Sequence, residues 1–176
     1  MSQSKPYIRA ILAVDQQGAI GYQQKIPWSC PEDLTAFRLK TTDQVVVMGR
    51  NTALGFKGRP LPNRINVIIS NSMFKQNPDE YKDFIIYSSL QSFLNDVNAL
   101  VYGDRQIWII GGAQLYHSMA DSYIDEFHIH RINLTADKAD TFIDEATLLK
   151  RFKHHDTIDF ENTRGLLKQV DVYTHR

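Results

Sequence analysis

Four runs, QVVVMG (44–49), RINVIIS (64–70), DFIIYS (83–88) and RQIWIIGG (105–112), carry apolar, mostly β-branched residues at successive positions. A strand with one wet face alternates apolar and polar residues. One that is apolar on both faces needs cover on both, as in a parallel sheet sandwiched between helices. Helical spacing falls between these runs: from Cys30 to about Lys40, in SLQSFLNDVNAL (89–100) at Leu90, Phe93, Leu94 and Val97, and in AQLYHSMA (113–120). YIRAILAV (7–14) is a further strand, ended by the turn-rich DQQG. EFHIHRINL (126–134) alternates, and LLKQVDVYTHR (166–176) closes the chain as a half-polar strand. Strands alternate with helices early and follow one another late. The pattern predicts one α/β domain over 1–176, with a mixed, mainly parallel central sheet, antiparallel C-terminal strands and flanking helices.

Bulk properties exclude several functions. The chain has 176 residues, 43% apolar and 23% charged, enough to bury a real core. Twenty basic and twenty acidic residues cancel, so bulk charge selects neither nucleic acid nor an anionic membrane. Any anion site has to come from local arrangement. A single cysteine, Cys30, excludes an internal disulfide and fits a reducing compartment. The apolar run in MSQSKPYIRAILAV is too short for a secretion signal or a membrane span, so a cytoplasmic protein is expected.

IPWSCPEDLTAFR (26–38) poses a question of chemistry. Ser29 followed by Glu32 reads as a capping box, and Pro31 suits a first helical turn. At ~100° per residue, Asp33 lies about 40° from Phe37, at the border of the apolar face. A first-turn acid needs no more explanation than the helix dipole. A half-buried carboxylate is also the usual way to make an acid useful near neutral pH.

Two strand-to-helix junctions add a second clue. VVVMGRNT (45–52) ends a strand in Gly49 and then offers Arg50, Asn51 and Thr52; IWIIGGAQLY (107–116) ends one in Gly111-Gly112. Helix N-termini present unpaired N–H groups, and glycine lets a phosphate approach the backbone. Neither junction is a GxGxxG or P-loop pattern. Together they suggest a dinucleotide at the carboxyl ends of the strands. In GRPLPNR (58–64), two prolines fix the backbone before Arg64, which could fork onto a carboxylate.

In order and spacing, AVDQQGAIG (13–21), IPW (26–28), PEDLTAFR (31–38), VVMGRNT (46–52), RPLPNRINVIIS (59–70), IWIIGGAQLY (107–116) and HRINLTADKADTF (130–142) resemble the dihydrofolate reductase family over nearly the whole chain. The resemblance implies reduction of 7,8-dihydrofolate to tetrahydrofolate with NADPH, serving one-carbon and thymidylate metabolism. It implies no partner but the small-molecule substrate, and a monomer. Carried over by position, Asp33 is the active-site carboxylate that binds the pterin 2-amino and N3 groups. Ile11, Ala13 and Ile110 line the pterin pocket, with Tyr116 and His130 beside it. Leu34, Phe37, Phe56 and Leu61 wall the pterin and aminobenzoyl rings, and Arg64 holds the glutamate tail. Ile20, Gly21, Ile26 and Trp28 belong to a mobile loop over the nicotinamide, so Ile26 and Trp28 join Asp33 as catalytic candidates. The cofactor set is completed by Gly49, Arg50, Asn51, Thr52, Ser70, Asn71, Gly111, Gly112, Ala113, Gln114 and Leu115, with Ala13, Ile110 and Tyr116 shared. The Gly111-Gly112 bond is cis in the family.

Three positions depart from the pattern. The family usually has threonine at His130, whose strand face it shares with His128 and Ile132; an imidazolium there would favour the ionised acid. Ala53 stands where an aromatic residue is common. Gln114 brings no charge toward a 2′-phosphate, leaving Arg50, with Ser70, Asn71 or Ser72. A related pterin or pyrimidine reductase, such as the riboflavin-pathway enzyme, would not need PEDL together with RPLPNR. A folate- or nucleotide-binding protein without turnover is the non-enzyme alternative. His128 and His130 as metal ligands lack a third partner.

Overall fold

The computed structural model describes residues 6–160 and 165–176. The expectation drawn from the start of the chain rests partly on residues 1–5, outside that range. Eight strands form one sheet: β1 (Ile8–Val14), β3 (Val45–Gly49), β4 (Ile65–Ile69), β5 (Ile85–Tyr87), β6 (Ile107–Gly111), β7 (Glu126–Ile132), β9 (Phe152–Asp159) and β10 (Leu167–His175). Their order is β5-β4-β3-β6-β1-β7-β10-β9. The run from β5 to β7 is parallel, while β10 is antiparallel to both β7 and β9. The mixed sheet expected from the sequence is the one observed. A two-stranded sheet, β2 (Ala19–Gly21) with β8 (Thr141–Phe142), lies outside it.

Period-2 alternation sends each strand's side chains to opposite faces. Val45, Val47, Ile8, Ala10 and Phe127 pack on one face against Phe93 of α4 (Leu90–Asn98), Met119 of α5 (Ala113–Ala120) and Leu148 of α6 (Glu145–Leu148). Val46, Met48, Ile11 and Trp108 pack on the other, against Phe37 of α1 (Pro31–Thr41), Ala53 of α2 (Arg50–Phe56) and Met73 of α3 (Asn71–Gln76). This is why the central runs are apolar throughout. Each Val, Leu, Ile, Phe or Met among them contributes about 1.5–3 kcal/mol by leaving water.

The α1 N-terminus differs from the expected capping box. Cys30, not Ser29, is the N-cap, and no side chain caps the helix. Pro31 sets the first helical position one residue later than the Ser-x-x-Glu frame requires. The Glu32 carboxylate instead accepts from the Cys30 thiol at 3.2 Å. Leu34 is 57% exposed, while its neighbour Asp33 is buried.

Candidate active site

The inward stripe of α1 is Asp33, Ala36, Phe37, Lys40 and Thr41, the i, i+3, i+4, i+7, i+8 pattern of one helix face. Three of the five are polar. Burying such groups is tolerable only if each finds a partner, and each does. Thr41 Oγ1 donates to the Phe37 carbonyl at 2.9 Å and accepts from Arg64 Nη1 at 3.1 Å. Asp33, 5% exposed, pairs its Oδ1 with His130 Nδ1 at 2.7 Å. Lys40 Nζ lies 2.9 Å from His128 Nδ1 and 3.0 Å from His130 Nε2. His128 Nε2 in turn meets a Glu126 carboxylate oxygen.

With Lys40 charged, one arrangement of protons satisfies all of these contacts. A lysine ammonium only donates, so the two ring nitrogens facing it accept. Each imidazole is then neutral and gives its remaining N–H to a carboxylate, His128 to Glu126 and His130 to Asp33. Burial pushes His130 down; its bond to Asp33 opposes that, and Lys40 adds to it. A second positive charge 3.0 Å from the ammonium would be repelled by on the order of 5 kcal/mol at an effective dielectric near 20. His130 therefore meets Asp33 from the strand face that alternation predicts, and beside a charged Lys40 it does so as a neutral donor.

Several residues expected to wall the pocket share one apolar cluster, which α1 joins through Phe37. Phe37, Phe56, Leu61 and Ile110 are partly buried against the cluster that contains Ile11, and Leu54, which the sequence reading overlooked, joins them. Tyr116 Oη donates to the Ile11 carbonyl at 2.5 Å, tying α5 to β1 under the pocket. Ala13 and Trp28 pack on the neighbouring cluster, and the Trp28 indole N–H is buried without a protein partner among the described residues. Arg64 donates to the Pro62 carbonyl and to Thr41, with its guanidinium carbon 5.9 Å from the Phe37 ring centre. Leu34 and Ile26 stay exposed and outside these clusters.

The segment expected to move hangs from β2. Gly21 pairs with Thr141 of β8, and Ile20 packs on the main core. Asp15 holds the base of this unit by accepting from the Gln17, Ala19 and Ala136 amides. Residues 22–25 form a tight turn closed by Tyr22 and Lys25. Gln24 then rests on α2: a Cβ added at Gly55 would sit 2.1 Å from the Gln24 carbonyl oxygen.

The two glycine junctions adjoin, because β3 and β6 are neighbours with Met48 opposite Gly111. Gly49 and Gly112 are the N-caps of α2 and α5, neither with a side-chain cap. Ser70, at the end of the adjacent β4, caps α3 through the Met73 amide. Three helix N-termini therefore line one carboxyl edge of the sheet, and Thr52, Ala113 and Leu115 lie half-buried along it. Arg50, Asn51, Asn71 and Gln114 point outward as exposed residues. The Gly111-Gly112 bond is cis, and Gly111 has φ +133° with room for a Cβ only 3.0 Å from Thr52 Oγ1. Ala53 is fully buried, and its carbonyl accepts from Tyr81. Among the described residues no group of three or more His, Cys, Asp or Glu could hold a metal. The space between His128 and His130 holds Lys40 instead.

A family model described as dihydrofolate reductase matches residues 7–172. Dihydrofolate reductase type 9 of Escherichia coli is 33% identical over 149 residues, covering 83% of this chain and 80% of that protein. The dihydrofolate reductase of Buchnera aphidicola subsp. Acyrthosiphon pisum is 35% identical over 127 residues, 72% of this chain and 73% of its own. The chain is also 29% identical over 157 residues to the bifunctional dihydrofolate reductase-thymidylate synthase of Paramecium tetraurelia, but spans only 32% of that relative's length. Among solved structures, dihydrofolate reductase from Enterococcus faecalis, complexed with NADP(H) and RAB-propyl, superposes with a TM-score of 0.77 at 27% identity, over 98% of each chain. With a matched model over most of its length, and that architecture around a buried carboxylate, this chain belongs to the dihydrofolate reductase family.

Proposed function

We propose that this protein is an NADPH-dependent dihydrofolate reductase that converts 7,8-dihydrofolate to 5,6,7,8-tetrahydrofolate, in support of one-carbon and thymidylate metabolism. The observation that carries the reading is Asp33, a buried carboxylate on the same face of α1 as Phe37, which packs on the apolar cluster of Ile11, Phe56, Leu61 and Ile110. A carboxylate has about four acceptor sites, and the His130 bond uses one. The others suit the paired donors of a pterin, its 2-amino and N3 groups. Bound NADPH supplies the hydride. Asp33 anchors the ring and favours the proton that its N5 must gain. Phe37, Phe56, Leu61 and Ile110 exclude water, which strengthens that charge effect. Arg64 receives the substrate's carboxylate tail.

For the cofactor, the Gly49 and Gly111-Gly112 junctions offer backbone N–H groups to phosphates, with Thr52, Ala113, Gln114 and Leu115 alongside. Arg50, with Ser70, Asn71 or Ser72, faces the 2′-phosphate. The buried indole N–H of Trp28, without a partner among the described residues, fits a donor completed by a ligand. Ile20, Gly21, Ile26 and Trp28 close over the nicotinamide. The enzyme acts as a cytoplasmic monomer on a small-molecule substrate; the even charge balance and the lone buried cysteine support that setting.

Single-turnover NADPH oxidation with dihydrofolate tests the reading. Asp33→Asn keeps the shape and removes the anion. We expect hydride transfer near pH 7 to fall by at least tenfold, about 1.4 kcal/mol or more, with NADPH binding little changed. Equal loss of both would assign Asp33 to folding. No turnover in the unaltered protein would leave a folate- or nucleotide-binding role.

A further inference from the structure

Histidine in the position facing Asp33 creates a problem for the proposed reaction. An imidazole there can take a proton and neutralise the anion that a pterin cation needs. Lys40 stands where that proton would go. Its ammonium donates to His130 Nε2 at 3.0 Å, and His130 Nδ1 is 2.7 Å from Asp33 Oδ1. The lysine is itself held from behind. It donates to His128 Nδ1 at 2.9 Å, and His128 Nε2 is bound to Glu126. The row reads carboxylate, imidazole, ammonium, imidazole, carboxylate. Glu126 is the end nearer solvent, where Tyr7 Oη donates to it at 2.8 Å and Arg9 Nε lies 3.5 Å away.

From this geometry we propose that Lys40 is a positioning residue that keeps His130 a neutral Nδ1–H donor to Asp33, so that the histidine does the work of a threonine. The inference rests on the reductase reading for its consequence in catalysis, but not for its chemistry. Two features separate it from incidental packing. Lys40 sits two helical turns after Asp33 on the same stripe, so one rigid element sets both ends of the His130 bridge. The His130 ring is fully buried, which leaves solvent no route to supply either partner.

The charges facing this row come from three elements. Asp33, Lys40 and the adjoining Cys30 thiol belong to α1 and its cap, Glu126 and His128 to β7, and Arg9, with Tyr7 just before it, to β1. Burial brings Lys40 down to about 8, with Asp33 and Glu126 pulling it back up. It is therefore charged below pH 8, where an unperturbed histidine, near 6.5, would begin to protonate.

Nitrogen-15 NMR of the imidazole rings, with His130 assigned by difference against His130→Thr, tests the proposal directly. In the unaltered protein the His130 ring should remain a neutral Nδ1–H tautomer from pH 8 to pH 5. In Lys40→Met it should gain a proton within that range. Hydride transfer by Lys40→Met should then fall at least threefold between pH 7 and pH 5, relative to the unaltered enzyme. Adding His130→Thr should remove that acid limb. A His130 ring that protonates in the unaltered protein overturns the proposal, and this titration decides alone if Lys40→Met does not fold. A titration unchanged in Lys40→Met, or an acid limb that persists in Lys40→Met/His130→Thr, overturns it too. Absence of dihydrofolate-dependent turnover would refute the reductase reading instead, leaving the NMR titration to decide on Lys40.

Discussion

Arg64 shows how a surface residue becomes a preorganised one. Its Nε donates to the Pro62 carbonyl at 2.9 Å and its Nη1 to Thr41 at 3.1 Å, while the Phe37 ring lies beneath. Two contacts from different elements hold the guanidinium before any ligand arrives, which spares the entropy of ordering a long side chain. Replacing Arg64 with leucine should weaken dihydrofolate binding by about 1.5–3 kcal/mol, the worth of a charge-assisted bond, and leave NADPH affinity unchanged. Fluorescence titration with each ligand checks this; equal weakening of both would refute the assignment. At this scale the sequence is informative where periodicity governs. Strand alternation places His130 on the α1 face, and the helical angle places Asp33 at its inner border. Lys40 escaped the same geometry only because lysine is expected at the surface, although its spacing of seven from Asp33 puts it on that stripe. The proton position on His130 was not legible, since it depends on Lys40 and His128 arriving from two different elements.

Among the elements, the contact of α2 with the 22–25 turn governs how the loop over the site is seated. Gly55 lets the Gln24 carbonyl come within 2.1 Å of where a Cβ would stand, so no side chain fits without moving backbone. Gly55→Ala should displace that turn. The better helix propensity of alanine, roughly 0.5–1 kcal/mol, offsets part of the cost in global stability. We expect limited proteolysis to cut faster between residues 21 and 28, and hydride transfer to slow by about tenfold, or ~1.4 kcal/mol. A variant with unaltered cleavage and rate would show that the turn is not held by this contact. The central strands were legible because burial on two faces leaves a compositional mark. β9 was not: all of FKHHDTID except Phe152 is exposed, and it is a strand only because β10 pairs with it. The short β2, β8, α3 and α6 have too few residues for any period to show. The cap of α1 slipped by one residue because a proline at the first helical position outranks a serine one place too early.

Taken whole, the molecule balances its charges in bulk yet stores an acid-sensitive element in its interior. Burial, helped by the Lys40 charge, brings His128 down to about 4 against the pull of Glu126, whereas the unfolded chain holds a histidine near 6.5. Between those values the unfolded state binds the proton and the folded state does not. The contribution is intact above pH 6.5 and is lost as pH falls toward 4, amounting to on the order of 3 kcal/mol at the end of that window. His130, lowered in the same direction, steepens the decline. The urea midpoint should therefore drop clearly from pH 7 to pH 5, and less in His128→Phe; a flat profile would contradict the neutral pair. The topology has a consequence in time as well. β1 lies between β6 and β7, so its partners start at Ile107 and Glu126. On a ribosome adding roughly 5–20 residues per second, Ile8–Val14 is made well before either partner and stays unpaired for on the order of ten seconds. The nascent chain thus shows this apolar segment to chaperones or to other chains until β6 and β7 are translated, and the floor that carries Ile11 and Ala13 is made early but fastened late.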